Sequence, residues 1–255
     1  MELREVTAGY GGADVVKGIS LCFRPGEVTV LAGPNGCGKS TLLRAAARLL
    51  PLRKGQVLVD GVDTAGWSSR AFAKQAALLP QSRPVPEITV EALVLHGRFP
   101  YLGYPRRYGP ADRAAARSAM ERAGVLELAE RNVSRLSGGQ RQKVYLAMAL
   151  AQDTPVLLLD EPTTFLDIGC QLELARLMRE TAAAGKAVVM VLHDLNLALG
   201  CANRVAVMEE GRIRAWGTPA EIYANGALEQ VFGVKVHRTE LSDGTEQYLF
   251  THKGP

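Results

Sequence analysis

Long apolar runs are missing from this sequence of 255 residues. Its apolar stretches, Val188 to Leu192 for example, are far shorter than the roughly 20 residues that span a bilayer as a helix. The first residues, Met1 to Glu5, do not form the apolar core of a signal peptide. We therefore expect the chain to stay in the cytoplasm and to meet a membrane only through a partner.

Cysteine and excess charge are also scarce. The four cysteines, Cys22, Cys37, Cys170 and Cys201, show neither a CxxC pair nor zinc-ligand spacing, which predicts free thiols in a reducing compartment. The net charge of +4 suits a nucleotide or an anionic membrane surface, but it is too small to indicate nucleic-acid binding. With 47% hydrophobic residues, the chain is able to build one large core.

Short β-branched runs alternate with helical stretches, which favours an α/β core. Strands are predicted at residues 28–31, 57–59, 156–159, 188–191 and 205–207, and the last three are apolar throughout, as in strands covered on both faces. Helical periodicity appears at 42–50 and 138–151, and further helices are predicted at 111–123, 126–131 and 68–75. Residues 84–153 contain few β-branched runs, and we predict a helical insert at about these positions. Thr218 and Pro219 predict a helix start, and the tail after about Gly233 receives no assignment.

One glycine-rich segment fits the phosphate-loop pattern G-x-x-x-x-G-K-[ST] in full. It follows a predicted strand and precedes a predicted helix, and it consists of Gly33, Pro34, Asn35, Gly36, Cys37, Gly38, Lys39 and Ser40. Backbone N–H groups and the helix N-terminus would surround phosphates, Lys39 would neutralise the β- and γ-phosphates, and Ser40 would ligate Mg²⁺. Thr41 offers a further hydroxyl. The loop alone indicates a nucleotide, without saying which one.

Two acids, Asp160 and Glu161, end the apolar strand at 156–159. Parallel sheets bind ligands at the carboxyl ends of their strands, where Asp160 would hold Mg²⁺ through water and Glu161 would polarise the attacking water. Taken alone, such acids are as easily explained by solvation at a strand end. Beside a phosphate loop, the metal and base roles are favoured.

The segment Ser137, Gly138, Gly139 and Gln140 lies shortly before the acidic strand. Ser followed three residues later by Gln also predicts a capping box for the helix over 138–151. With Leu136 before it, the segment matches the signature motif of ATP-binding cassette (ABC) ATPases, a family that the chain resembles over nearly its whole length. A capped helix N-terminus directed at a phosphate satisfies both interpretations.

The resemblance implies roles for four more residues. Tyr10 would stack on adenine, with an ordinary strand tyrosine as the alternative. Gln81 would link the metal site to the helical insert, and Asp167 would lie at a dimer seam. His193 would contact the γ-phosphate, although a histidine followed by Asp194 is alternatively a metal pair or a surface residue.

The same resemblance implies a fold and a mechanism. The fold would be a single α/β domain over 1–255, a P-loop NTPase core with an antiparallel β subdomain and a helical insert. ATP and Mg²⁺ would be the cofactors, with Ser40, Gln81 and Asp160 at the metal and Glu161, His193 and Gln81 in catalysis. Two chains would sandwich two ATP molecules head to tail, each signature segment closing on its partner's γ-phosphate. The implied partners are a second copy, integral membrane permease subunits and, indirectly, a substrate-binding protein, all at the cytoplasmic face of the membrane.

The detached single cassette fits an importer best, because heptads, a second cassette and fused membrane helices are all missing from the sequence. Several motifs resemble the importers of ferric siderophores, haem and cobalamin: residues 33–44, 146–154, 161–167 and 192–196, with 97–101 as the permease-docking stretch. We rank ferric siderophore first; haem, cobalamin, an exporter and a non-transport nucleotide-gated module stay as alternatives. Two departures from the family pattern are Lys143 and Cys170. Alkylation of Cys37 is expected to block ATP binding if the thiol is accessible.

Overall fold

The computed structural model describes residues 1–242, 244 and 246–252. The predicted domain runs to residue 255, so its positions 243, 245 and 253–255 lie outside the described residues.

A six-stranded sheet forms the centre of the molecule, in the order β10-β9-β3-β8-β7-β6. Its strands are β3 (Val28–Ala32), β6 (Ala76–Leu79), β7 (Val156–Asp160), β8 (Ala187–Val191), β9 (Arg204–Glu209) and β10 (Arg212–Gly217). All pair in parallel except β10, which is antiparallel to β9. Every residue of β7 and β8 is buried, as are residues 205–207 of β9, so the three continuously apolar runs were interpreted correctly as strands covered on both faces. The α/β fold class is confirmed.

A second sheet is antiparallel, in the order β2-β1-β4-β5. Its strands are β1 (Glu2–Tyr10), β2 (Ala13–Cys22), β4 (Lys54–Val59) and β5 (Val62–Asp63). Only the end of β4 was predicted from strand periodicity, because β1 and β2 bury one face and their pairing shifts register at several points. The resemblance to the ABC family alone implied this subdomain.

Helices α1 (Lys39–Ala46) and α2 (Ser69–Phe72) are shorter than the sequence predicts. The periodicity at 42–50 suggested a helix to Leu50, but α1 ends at Ala46 and Arg48 takes a left-handed conformation with φ 57°. Only four residues of the predicted 68–75 stretch are helical, and Ser68 caps them by accepting a hydrogen bond from the Ala71 N–H.

The helical insert contains α3 (Val90–Leu95), a 3-10 helix at His96–Tyr101, α4 (Pro110–Arg122) and α5 (Gly138–Ala151). The helix predicted at 126–131 is wrong: only a 3-10 turn at Leu126–Leu128 forms. The carbonyls of Ala129 and Arg131 instead accept hydrogen bonds from the N–H groups of Glu91 and Val90 at the start of α3. These bonds satisfy the free donors of α3 at the cost of a longer local helix.

The remaining helices are α6 (Ile168–Ala183), α7 (Leu195–Cys201), α8 (Pro219–Ala224) and α9 (Ala227–Phe232). Thr218 and Pro219 start α8 as predicted, with Thr218 accepting from the Glu221 N–H. The unassigned tail forms a hairpin of β11 (Val234–Glu240) and β12 (Glu246–His252). Of the hairpin residues that the structure describes, only Val236 and Tyr248 are buried, so the apolar pattern along the sequence was too weak to predict these strands.

Candidate functional site

The phosphate loop leaves the carboxyl end of β3 and enters α1. Gly33 lies so close to β9 that an added Cβ would stand 2.3 Å from the Met208 carbonyl oxygen. Gly38, which caps α1, has φ 107°, a conformation that only glycine adopts readily. These two glycines let the backbone wrap tightly before the helix, which leaves N–H groups at its start free for an anion.

Lys39 lies inside this loop with only 5% of its surface exposed. Its ammonium donates to the carbonyl oxygens of Gly33 at 2.7 Å and Pro34 at 2.9 Å. A buried charge is costly unless such partners satisfy it. The loop therefore holds the cation at the place where the sequence predicts phosphates to bind.

Ser40 and Asp160 meet at the carboxyl edge of the central sheet. The Ser40 hydroxyl donates to Asp160 Oδ1 at 2.8 Å, and Asp160 is only 1% exposed. Burial raises the pKa of the Asp160 carboxyl, and the Ser40 hydrogen bond opposes that rise. Among the described residues, no group of three or more His, Cys, Asp or Glu side chains could hold a metal ion. One hydroxyl and one carboxylate nevertheless fit Mg²⁺, which takes few protein oxygens and fills its other positions with phosphate and water.

Glu161 and His193 also come together from the ends of neighbouring strands β7 and β8. His193 Nε2 lies 2.7 Å from Glu161 Oε1, and the Glu161 side chain is 14% exposed. Glu161 has φ 52°, a left-handed conformation unusual for glutamate and often found at functional sites. The contact holds the carboxylate in place beside Asp160.

Tyr10 ends β1 with nearly half of its surface exposed. Its hydroxyl accepts a hydrogen bond from Arg44 Nη1 on α1 at 3.3 Å. The ring is exposed beside the helix of the phosphate loop, and its stacking on a planar base stays a prediction. Gln81 is exposed two residues beyond β6.

The signature segment forms the predicted capping box at α5. Ser137 Oγ accepts from the Gln140 N–H at 3.3 Å, and the Gln140 side chain accepts from the Ser137 N–H at 3.2 Å. The turn at Phe165 packs against it, since a Cβ added at Gly138 would lie 3.2 Å from Phe165 Cβ. Within the described ranges, no hydrogen bond or ion pair joins the signature segment to the phosphate loop.

Asp167 caps the N-terminus of α6, where its Oδ1 accepts from the Cys170 N–H at 2.8 Å. This bond is the largest cause of a lowered pKa for the Asp167 carboxyl. The signature segment and Asp167 line one surface depression. No hydrogen bond or ion pair found among the described residues joins this surface to the phosphate loop.

A hydrogen-bond network centred on Gln142 supports the backbone next to Glu161, and no sequence motif indicates it. Gln142 on α5 donates through Nε2 to the Pro162 carbonyl at 2.7 Å, and its Oε1 accepts from Arg83 Nη2 at 2.7 Å. The Arg83 guanidinium also lies 4.4 Å above the Tyr145 ring, and burial lowers its pKa to about 10. The network ties the loop after Gln81 to the helix of the signature segment and to the backbone beside Glu161.

Cys37 lies in the loop wall with only 6% of its surface exposed, and burial raises the pKa of its thiol. Both effects reduce its reaction with alkylating reagents. We predict that iodoacetamide modifies the exposed Cys22 at least about 10-fold faster than Cys37 in the folded chain, and both equally after unfolding. Peptide mass spectrometry over a time course measures the two rates. Equal rates in the folded chain would show that the loop opens readily.

Comparison with known proteins gives one family. The family model described as ABC transporter matches residues 16–164. The achromobactin transport ATP-binding protein of Dickeya dadantii is 46% identical over 233 residues, which cover 91% of this chain and 87% of that protein. A hemin import ATP-binding protein of Streptomyces coelicolor is 48% identical over 223 residues, covering 87% and 79%.

One similar solved structure is a dimer with bound nucleotide. It is a dimeric ATP-binding cassette in a post-hydrolysis state, bound to ADP and phosphate. It superposes with a TM-score of 0.76 at 28% sequence identity and covers 86% of this chain and 98% of that one. No helix in the described part of this chain is long and apolar enough to cross a membrane.

Proposed function

The chain belongs to the ABC transporter family as a transport ATPase that binds ATP, and from this premise we propose that it powers uptake of an iron–siderophore complex. The observation that carries the cargo is the broader match to an achromobactin transport ATP-binding protein, which is 46% identical over 91% of this chain and 87% of that protein, against 87% and 79% for the hemin import relative. The site described above supplies the chemistry.

ATP binding rests on the phosphate loop and Tyr10. The N–H groups at the start of α1 and the α1 dipole would receive the phosphates, and Lys39 would move its ammonium from the loop carbonyls onto the β- and γ-phosphates. Ser40 and Asp160 would hold a magnesium ion, with Gln81 completing the set from its loop. When bound, such an ion neutralises charge on the β- and γ-phosphate oxygens.

Hydrolysis needs a base beside the γ-phosphate. Glu161 takes a proton from the attacking water, and His193, 2.7 Å away, orients the Glu161 carboxylate and contacts the γ-phosphate. Gln142 fixes the backbone that carries Glu161. Because Glu161 and Asp160 are adjacent, the base and the metal ligand remain in one rigid unit at the sheet edge.

A second copy completes the site. The signature segment and Asp167 share one surface and make no polar contact with the phosphate loop of their own chain. A two-fold dimer places each signature N-terminus, capped by Ser137, on the partner's γ-phosphate. ATP then holds the two chains together, and its hydrolysis releases them.

The permease docks against the helical insert. The 3-10 helix His96–Tyr101 is fixed by Arg70, whose Nε donates to the Pro100 carbonyl at 2.9 Å, and by Arg98, which donates to the Ala151 carbonyl at 3.0 Å. A groove of about 330 Å³ is bordered by Leu49, which is 69% exposed, by Phe72, and by Gln152, the residue after Ala151. This rigid, partly apolar platform receives a cytoplasmic helix of the permease, through which a substrate-binding protein acts indirectly. The chain accordingly works at the cytoplasmic face.

Haem is the second candidate cargo, because the hemin import relative is 48% identical. The cargo is decided by measuring uptake of labelled ferric siderophore, hemin and cobalamin in iron-starved cells. In these cells the gene for this chain is replaced by a copy that encodes either the native chain or Lys39→Ala. We expect loss of ferric siderophore uptake alone in the variant. Loss of hemin uptake alone would assign the chain to haem, and normal uptake of all three would reject every proposed cargo.

A further inference from the structure

A short basic loop, defined here as residues 103–107, joins the docking 3-10 helix to α4. It contains Tyr104, whose surface is 100% exposed, and two exposed arginines, Arg106 and Arg107. The Arg106 guanidinium lies 4.6 Å above the ring of Phe99, itself 48% exposed. The loop therefore presents aromatic rings and positive charge together on the surface.

The positive charge of the basic loop is not balanced. Residues 99–111 contain neither Asp nor Glu. The next acid, Asp112, is engaged by Arg98 at 3.2 Å and by the Gly109 N–H at 3.0 Å. Across the part of the chain that the structure describes, neither Arg106 nor Arg107 forms an ion pair. An unpaired basic surface with aromatic neighbours is suited to an anionic partner.

Arginines on the adjoining helix α4 provide a contrast. Arg117 pairs with Glu121 at 3.2 Å, and Arg113 approaches Glu91 at 3.6 Å. These arginines are also exposed, but acids of the chain itself offset their charge. Acids of the chain therefore offset Arg113 and Arg117 on α4, whereas no acid among the described residues pairs with Arg106 or Arg107.

The position of the basic loop indicates which anion it meets. The loop follows the 3-10 helix His96–Tyr101 directly, and on the proposed function that helix contacts the permease where the permease leaves the bilayer. The basic loop then lies against the cytoplasmic membrane surface. This placement of the basic loop rests on the proposed function.

We propose that the basic loop binds the phosphate headgroups of anionic lipids beside the permease. The permease itself is a poor alternative partner, since cytoplasmic loops of membrane proteins carry an excess of Lys and Arg and would repel the loop. The inner leaflet carries negative charge that attracts juxtamembrane basic residues. Tyrosine rings favour the headgroup region, where their apolar body and hydroxyl are both satisfied.

Two arginines and a tyrosine give weak binding in isolation. Their contribution grows when the permease already holds the chain, because tethering raises the effective concentration of lipid at the loop. The contact would set the orientation of the insert relative to the bilayer. Its strength should fall as salt is added, since surface charges are screened.

Sedimentation with vesicles tests the proposal on the purified full chain. Vesicles of phosphatidylglycerol mixed with phosphatidylcholine are compared with vesicles of phosphatidylcholine alone at low salt. The double variant Arg106→Glu/Arg107→Glu is compared with Arg113→Glu/Arg117→Glu, which changes the net charge equally. We expect the native chain to bind only the anionic vesicles, and the loop variant to lose at least about 10-fold in partitioning. The α4 variant should stay within about 3-fold of the native chain.

Equal losses in both variants would reduce the effect to net charge and overturn the proposal, as would failure of the native chain to prefer anionic vesicles. Tyr104→Ser gives a second measure, with a smaller loss expected and no change in net charge. ATP turnover of all variants should match the native chain, because none of the substituted residues is among those assigned to the nucleotide, and the contacts found for their side chains are to Phe99, Glu91 and Glu121. A native chain that neither hydrolysed ATP nor supported cargo uptake would instead count against the proposed function. Failure of the lipid proposal and failure of the proposed function are therefore distinguishable.

Discussion

Replacing Lys39 with methionine should weaken ATP binding by about 10- to 100-fold and lower turnover at saturating ATP by at least about 100-fold. The ammonium is the only side-chain cation inside the described phosphate loop, and it is already desolvated at 5% exposure. Methionine keeps the buried stem but removes the charge that meets the β- and γ-phosphates. The loss should therefore appear in both affinity and rate.

Fluorescent-nucleotide titration and phosphate release measure the two effects. Lys54→Met, on the exposed start of β4, is the matched control and should behave as the native chain does. Thermal unfolding is recorded as well, because Lys39→Met removes the Lys39 donor from the Gly33 carbonyl and leaves the Pro34 carbonyl with only the Cys37 N–H. A folded variant that bound and hydrolysed ATP normally would contradict the assignment of this loop.

Replacing Glu161 with glutamine should lower turnover by roughly 100- to 10,000-fold while leaving ATP affinity within about 3-fold of the native value. Glutamine keeps the shape and is still able to meet His193, now 2.7 Å from the carboxylate, but it cannot accept a proton from water. The base would thus be lost with the phosphate and metal contacts intact. That separation of rate from binding distinguishes Glu161 from Lys39.

Single-turnover assays with labelled ATP give the rate, and the same nucleotide titration gives the affinity. Glu130→Gln, an exposed surface substitution, serves as the control. If turnover were unchanged in Glu161→Gln, the general base would have to be assigned to another residue. A large loss of affinity would mean that Glu161 holds the nucleotide and is not mainly a base.

The sequence predicts well those features that depend on local pattern. Buried parallel strands are apolar throughout, so β7 and β8 were located within a residue at each end. The capping box of Ser137 and Gln140 placed the start of α5 at Gly138. Motif spacing on such elements was enough to predict that Ser40 and Asp160 would meet across 120 positions.

Features that depend on tertiary contacts could not be predicted from the sequence. The helix predicted at 126–131 fails because two of its carbonyls cap α3 instead. The link from Arg83 through Gln142 to the backbone beside Glu161 joins segments 59 and 20 positions apart, and neither residue type marks it. The C-terminal hairpin was missed because burial of Val236 and Tyr248 comes from packing against the core and not from alternation along its strands.

Sedimentation velocity of the Glu161→Gln chain, with and without ATP, tests the central claim that two copies close on the nucleotide. We expect a monomer without nucleotide and a dimer holding two ATP molecules when ATP is present, since hydrolysis no longer releases the partners. The further change Ser137→Arg should abolish that dimer while each chain still binds ATP. A chain that binds ATP tightly and stays monomeric at all concentrations would contradict the shared site.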